Sequence, residues 1–151
     1  MTAAPGLLAW AEAVQAAATF AMTGIIWLVQ LVQYPGFARI GAAEFRDFHA
    51  HHCRSIGFVV GPLMVAELAT AVLLAACGEP AWFWRLMLAV LVVVWLSTAF
   101  WQGPLHGRLA REGSRPDLVH ALVRGNRLRT LLWSARSGGL VWFYARGWAL
   151  S

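Results

Sequence analysis

Glu44-Phe45-Arg46-Asp47-Phe48-His49-Ala50-His51-His52-Cys53-Arg54 holds three of the five histidines and one of the two cysteines of this chain. On a helix, His49 and His52 share a face with Phe45 and Phe48, whereas His51 points elsewhere. Two imidazoles three residues apart can share a metal ion, and neutral imidazole is the commonest metal ligand. His106 and His120 are the residues that would complete such a set, so the candidate metal ligands are His49, His52, His106 and His120. The same rings can move protons without a metal, or cap helices and meet lipid head groups. No H-E-x-x-H, C-x-x-C or paired E-x-x-H pattern selects among these uses, so the cofactor is undetermined: metal, haem or none. Adjacent helical positions diverge by about 100°, so Cys53 should not meet His52 and reads as a buried structural thiol.

Glu67 and Arg136 sit deepest in apolar sequence. A lone charge there is costly, and pairing lowers the cost and turns both side chains inward. The pair reads either as a structural tie or as a floor of charge beneath a substrate cavity. Asn126, Arg129, Trp133 and Arg136 follow one another at spacings that put them on one helix face. Similar polar stripes run along Gln15, Thr19, Thr23, Trp27, Gln30 and Tyr34, and along Thr98, Trp101 and Gln102. Interhelical hydrogen bonds account for Thr and Gln, and Asn126 also suits a helix N-cap. Two arginines on one stripe need more, namely a polar pocket. The candidate catalytic residues are therefore His49, His52, Asn126, Arg129, Glu67 and Arg136. Histidine would move protons or hold a metal, and arginine would stabilise an enolate or a carboxylate.

The elements that must position these residues are membrane helices. The chain has 151 residues, 60% of them hydrophobic, with a mean hydropathy of +0.61, which exceeds the usual share for a soluble domain. Four segments, about 7–32, 56–76, 82–101 and 127–148, meet the length needed to span a bilayer. They predict an all-α, integral membrane four-helix bundle in a single domain, with polar loops over 33–55 and 102–126. Gly57, Gly61 and Pro62 invite close packing or a kink near the start of the second helix. Trp82, Trp84, Trp142, Tyr144 and Trp148 form an expected interfacial belt.

Nine arginines fall within 33–55 and 102–129, and only Arg85 and Arg146 lie on the other side. That asymmetry predicts both loops in the cytoplasm and both termini outside, in a bacterial inner membrane. The net charge of +5 then reports orientation, and nucleic acid is not an expected partner. Lipid is the expected surroundings. No basic residue precedes the first apolar run, so the start does not read as a cleaved signal peptide. Cys53 and Cys77 would lie about 36 Å apart along one helix, beyond disulfide reach.

Gln33-Tyr34-Pro35 with Arg39 and Gln102-Gly103-Pro104 with Arg108 share the pattern Q-x-P-x-x-x-R at an offset of 69 residues. The same offset places Glu67 on Arg136 and His51 on His120. It predicts two parallel-repeat helical hairpins related by an axis along the membrane normal. Each proline should mark the end of a membrane helix.

Gln-x-Pro, the histidine-rich first loop and Asn126-Arg127-Leu128-Arg129-Thr130 with Trp133 make the chain resemble small bacterial four-helix membrane proteins of the anthrone-oxygenase-like kind. The resemblance implies oxygenase chemistry on polyketide-derived aromatic substrates with no established metal, and makes His49, His52, Asn126 and Arg129 the site. The His49–His52 cluster has no counterpart in that resemblance. The expected function is an oxygenase or oxidoreductase acting on a hydrophobic small molecule in a cytoplasm-facing His/Arg pocket. The alternatives are a non-enzymatic membrane subunit or a haem- or lipid-binding module, and small-anion transport by a homo-oligomer.

Overall fold

The computed structural model describes residues 4–149, and over them the chain is a bundle of four long helical rods without a strand. Trp148, the last member of the expected aromatic belt, has a side chain outside the described set. The first rod is α1 (Pro5–Leu28), continued through one π-helical turn (Val29–Gln33) into the short α2 (Tyr34–Phe37). The second is α3 (Phe45–Cys77). The third is α4 (Ala81–Ser97), which passes through a second π turn (Thr98–Gln102) into α5 (Gly103–Glu112), and the fourth is α6 (Pro116–Ala149).

The rods run past their expected membrane ends. Residues 102–126, expected as a loop, are almost entirely helical, and α3 begins at Phe45. The cause is amphipathic pattern: Leu105 and Leu109 of α5 pack into one core cluster with Leu118, Val119 and Leu122 of α6, Phe37 and Phe45. The polar residues between them, including Arg108 and Arg111, stay exposed. Asn126 consequently lies inside α6 and caps nothing. Gly113, at φ 81°, makes the turn from α5 to α6, a conformation only glycine adopts without strain.

Nor do the helices stop before Pro35 and Pro104. A proline inside an α-helix lacks a donor and clashes with the carbonyl four residues back. Each π turn relieves this by widening the preceding turn, so that Tyr34 N–H bonds Val29 O and Gly103 N–H bonds Thr98 O. The two turns and their prolines recur 69 residues apart. Each extra residue rotates the helix beyond it, which aims Tyr34 and His106 into the bundle.

α1 packs on α3 and α6, and α4 packs on the same two, so α3 and α6 occupy opposite corners. At about 1.5 Å per residue, α3 and α6 are each about 50 Å long, well beyond the hydrocarbon core of a bilayer. Three rods, Gly6–Phe37, Phe45–Cys77 and Ala81–Glu112, are long and apolar enough to cross a membrane. The fourth, rich in arginine, does not reach that standard by composition; its polar stripe is buried against the other three. The outer surface carries Trp10, Phe58, Val65, Phe100 and Leu131 fully in the open. Polar side chains turned inward beneath an apolar exterior are the arrangement a bilayer demands, as expected of an integral membrane protein.

Two apolar cores are separated by a polar layer. The smaller, with Ala11, Leu74, Phe83, Trp84, Met87 and Leu140, lies at the end that holds the termini. Trp84 belongs to it, only 1% exposed, because its indole N–H donates to Glu79 O. It is therefore core, and Trp82 and Trp142 remain as exposed members of the belt.

Candidate functional site

The polar layer is built around Glu67, which is completely buried. Its Oε1 accepts from Thr19 Oγ1 (2.7 Å) and from Arg136 Nε (3.2 Å) and Nη2 (3.1 Å). Its Oε2 accepts from Trp133 Nε1 at 3.1 Å. Arg136 also donates to Met87 O, and Gln15 links Thr19 to Thr70. The expected pairing of Glu67 with Arg136 is present, and it joins the two diagonal helices α3 and α6. Every donor of the layer is engaged, and neither residue lines a cavity with the histidines.

The second polar region lies at the other end of α3, fifteen residues and about 22 Å from Glu67 along the helix. Here His49, His52 and His106 converge. His49 Nε2 lies 3.0 Å from His106 Nδ1, and His106 Nε2 lies 2.9 Å from the Tyr34 hydroxyl. One tautomer set satisfies this chain: Tyr34 O–H donates to His106 Nε2, whose Nδ1–H donates to His49. Cys53 Sγ is 3.5 Å from His49 Nε2 and 3.7 Å from His106 Nδ1. The thiol thus faces the histidines, contrary to expectation. It does so through His49, four residues before it on the same helix face, and not through its neighbour His52. Gln33 Nε2 donates to His52 Nδ1 at 2.8 Å, which leaves His52 Nε2 as the ring atom without a partner among the described residues. Phe37 and Phe45 hold the imidazoles in place by edge and stacking contacts, and Phe48 packs edge-on against Phe37. His120 does not join them; it stands exposed on α6. His51 is likewise exposed, against Ser55.

Arg129 approaches from α6. Its guanidinium lies over the Trp133 ring, 5.4 Å from the centroid, and Nη1 donates to Asn126 Oδ1 at 3.3 Å. Asn126 is in turn fixed by donating to Gln30 Oε1. Asn126 therefore positions Arg129 and does not itself line the cavity. Gly125 lets α6 close down on the second π turn: a Cβ there would come within 2.8 Å of both Gln102 Nε2 and Trp101 Nε1.

Between these groups is a cavity of about 160 Å³. One wall is apolar, formed by Met22, Ile25, Ile26, Val29, Ile56 and Val60; the other carries Tyr34, His52, Gln102, His106 and Arg129. Both amide atoms of Gln102 and the Nε of Arg129 are buried without a hydrogen-bond partner. Buried polar atoms left unpaired cost about 1–3 kcal/mol each, and the two residues that keep three of them both line this cavity. A dry cavity of about 150 Å³ accepts a benzene ring, and this one has the size for a single ring. A haem macrocycle is far too large for it. A larger cavity, about 520 Å³, lies at the opposite end among Glu12, Trp82, Trp142, Tyr144 and Arg146. Tyr144 there already donates to Glu12 O, and none of the unpaired buried atoms faces it. The unpaired polar side chains of Gln102 and Arg129 belong to the smaller cavity.

The sequence pointed to His49, His52, His106, Arg129 and Gln102, but not to the Cys53 thiol. The four-residue step from His49 to Cys53 was the available signal. Comparison with protein-family profiles, curated proteins and solved structures gave no match to this chain.

Proposed function

We propose that this chain is a membrane-embedded oxygenase or oxidoreductase that acts on the ring of a hydrophobic small molecule held in the histidine cavity. The observation that carries the reading is the set of unpaired buried polar atoms on Gln102 and Arg129, which line one cavity together with His52. Once the Gln33 amide turns so that its oxygen accepts the His52 Nδ1–H, the lone pair on Nε2 removes a proton from an acidic C–H beside a ring carbonyl. Arg129 and the Gln102 amide N–H hold the enolate oxygen that forms; preorganised donors of this kind supply the largest single term in many enzymes. Molecular oxygen then takes up the electrons of the enolate. In balance, a ring CH2 and O2 become a ring C=O and water. Resemblance to the anthrone-oxygenase-like proteins supports this reaction, and the cavity volume supports one ring as the reacting part.

The test is oxygen uptake by the detergent-purified protein with a panel of hydroxylated aromatic ketones, with products identified by mass. The expected result is uptake that His52→Ala and Arg129→Ala each abolish. Unchanged turnover in both variants, or no uptake with any ketone while the ketones still bind, would leave the reading of a non-enzymatic carrier module instead.

We further infer that the histidine end faces the cytoplasm of a bacterial inner membrane with both termini outside, and that the bundle arose by duplication of a helical hairpin. The loop arginines support the first. The paired π turns, and the Glu67–Arg136 bond between positions 69 apart, support the second. Labelling of single cysteines placed at each terminus in intact cells checks the orientation.

A further inference from the structure

We propose that His49, Cys53 and His106 form a binding site for a borderline-soft first-row metal ion, with Zn(II) as the ion its geometry suits. The three donor atoms lie within 4.8 Å of one another, with separations of 3.0, 3.5 and 3.7 Å. A tetrahedral zinc ion, with its nitrogens at about 2.0–2.1 Å and its sulfur at about 2.3 Å, holds nitrogen donors about 3.3 Å apart and nitrogen and sulfur about 3.6 Å apart. The separations of the triad are therefore close to those of one face of that tetrahedron, with the ion replacing the His49–His106 hydrogen bond. Two ligands come from one face of α3, at positions four residues apart, and the third from α5 in the other half of the chain. The ion would tie those helices together below the exposed contact in which Arg46 Nη2 donates to Arg111 O at 3.0 Å.

The donor chemistry narrows the ion. A thiolate with two imidazoles selects zinc or copper over magnesium or calcium, which need oxygen ligands. The surroundings match what such a site needs beyond its ligands. The metal would take His106 through Nδ1, and the Nε2–H on the far side of the ring would donate to the Tyr34 hydroxyl at 2.9 Å. That second partner fixes the ring and its tautomer, and partners of this kind accompany most metal-bound histidines. Phe45 stacked on His49 holds the other ring. Three protein ligands leave the fourth position to water or a guest, as in catalytic and not structural zinc sites. His106 also lines the cavity, whereas His52, to which the proton transfer is assigned, and Arg129, which holds the enolate oxygen, remain outside the triad. Metal binding thus does not rest on the oxygenase reading.

The experiment is cobalt(II) titration of chelator-stripped, detergent-purified protein, followed by competition with Zn(II). Wild type is expected to take one cobalt per chain and to show a thiolate-to-cobalt charge-transfer band together with visible bands of tetrahedral intensity. Cys53→Ser should lose the charge-transfer band, and Tyr34→Phe should keep it with affinity weakened roughly 10–100-fold. His120→Ala should behave as wild type. Wild-type protein that takes up no stoichiometric cobalt, or a charge-transfer band that survives Cys53→Ser, overturns the site. Since the readout is the metal and not turnover, a protein that binds cobalt but consumes no oxygen sinks only the function proposed above.

Discussion

The Glu67 layer and the histidine cavity are both polar regions buried in an apolar bundle, and both draw on the same stripe of α6. They differ in saturation. Around Glu67 every donor and acceptor is engaged, by partners on α1, α4 and α6. At the cavity, Gln102 and Arg129 keep atoms with no partner. A closed network holds helices in place; an unclosed one is free to hold something else. Trp133 joins the two, since its indole N–H binds Glu67 while its ring faces the Arg129 guanidinium.

The largest effect should come from breaking the closed region. Glu67→Ala leaves Arg136 buried and unpaired, and loss of one partner of a buried pair costs about 3–5 kcal/mol. Denaturant unfolding in detergent micelles should show it, and a loss below about 1 kcal/mol would mean that water reaches the layer. In the open region the effect should fall on rate. Arg129→Ala is expected to lower kcat/KM about 10²–10³-fold, the usual cost of removing one oxyanion donor, with little change in unfolding midpoint. If its stability fell as far as that of Glu67→Ala, the contrast between the two regions would collapse.

Trp133→Phe probes the link. It removes a hydrogen bond to a carboxylate, worth about 1.5–3 kcal/mol, and keeps the ring under Arg129. Stability should fall while the affinity of the cavity for a ring ketone stays close to wild type; equal losses in both would make the regions one unit. The smallest and most diagnostic change is Gln102→Leu. Removing unpaired buried polar atoms should leave the empty protein unchanged or stabilise it by about 1 kcal/mol, while binding of a ring ketone weakens. A clear loss of stability would show that the amide has a partner in the folded protein.

Much of this was legible because helical periodicity carries it. Asn126, Arg129, Trp133 and Arg136 read as one face and are one buried face, all within 7% exposure. The burial cost of a lone charge predicted the Glu67–Arg136 pair, and His49 with His52 on one face was read from a three-residue spacing. Residues 102–126 have the composition of a loop because their charges outweigh the Leu105–Leu109 and Leu118–Leu122 pairs, which carry the amphipathic signal. Cys53 meets His49 and not its neighbour His52, because the fourth residue back is the one a helix brings close.

The amino-acid order by itself determined the helices, their inward and outward faces and the central ion pair, since each follows from local spacing or from the cost of an unpaired charge in an apolar medium. Which polar residues meet was decided only by the tertiary structure. Tyr34 and His106 reach the cluster because two π turns rotate the ends of their helices, and His106 meets His49 from a segment 57 residues away. His120, equal to His106 in the sequence, is left outside because the packing of α6 turns it to the surface. Such convergence depends on the rotation of each rod about its own axis, a quantity fixed by the packing of all four and carried by no single stretch of chain.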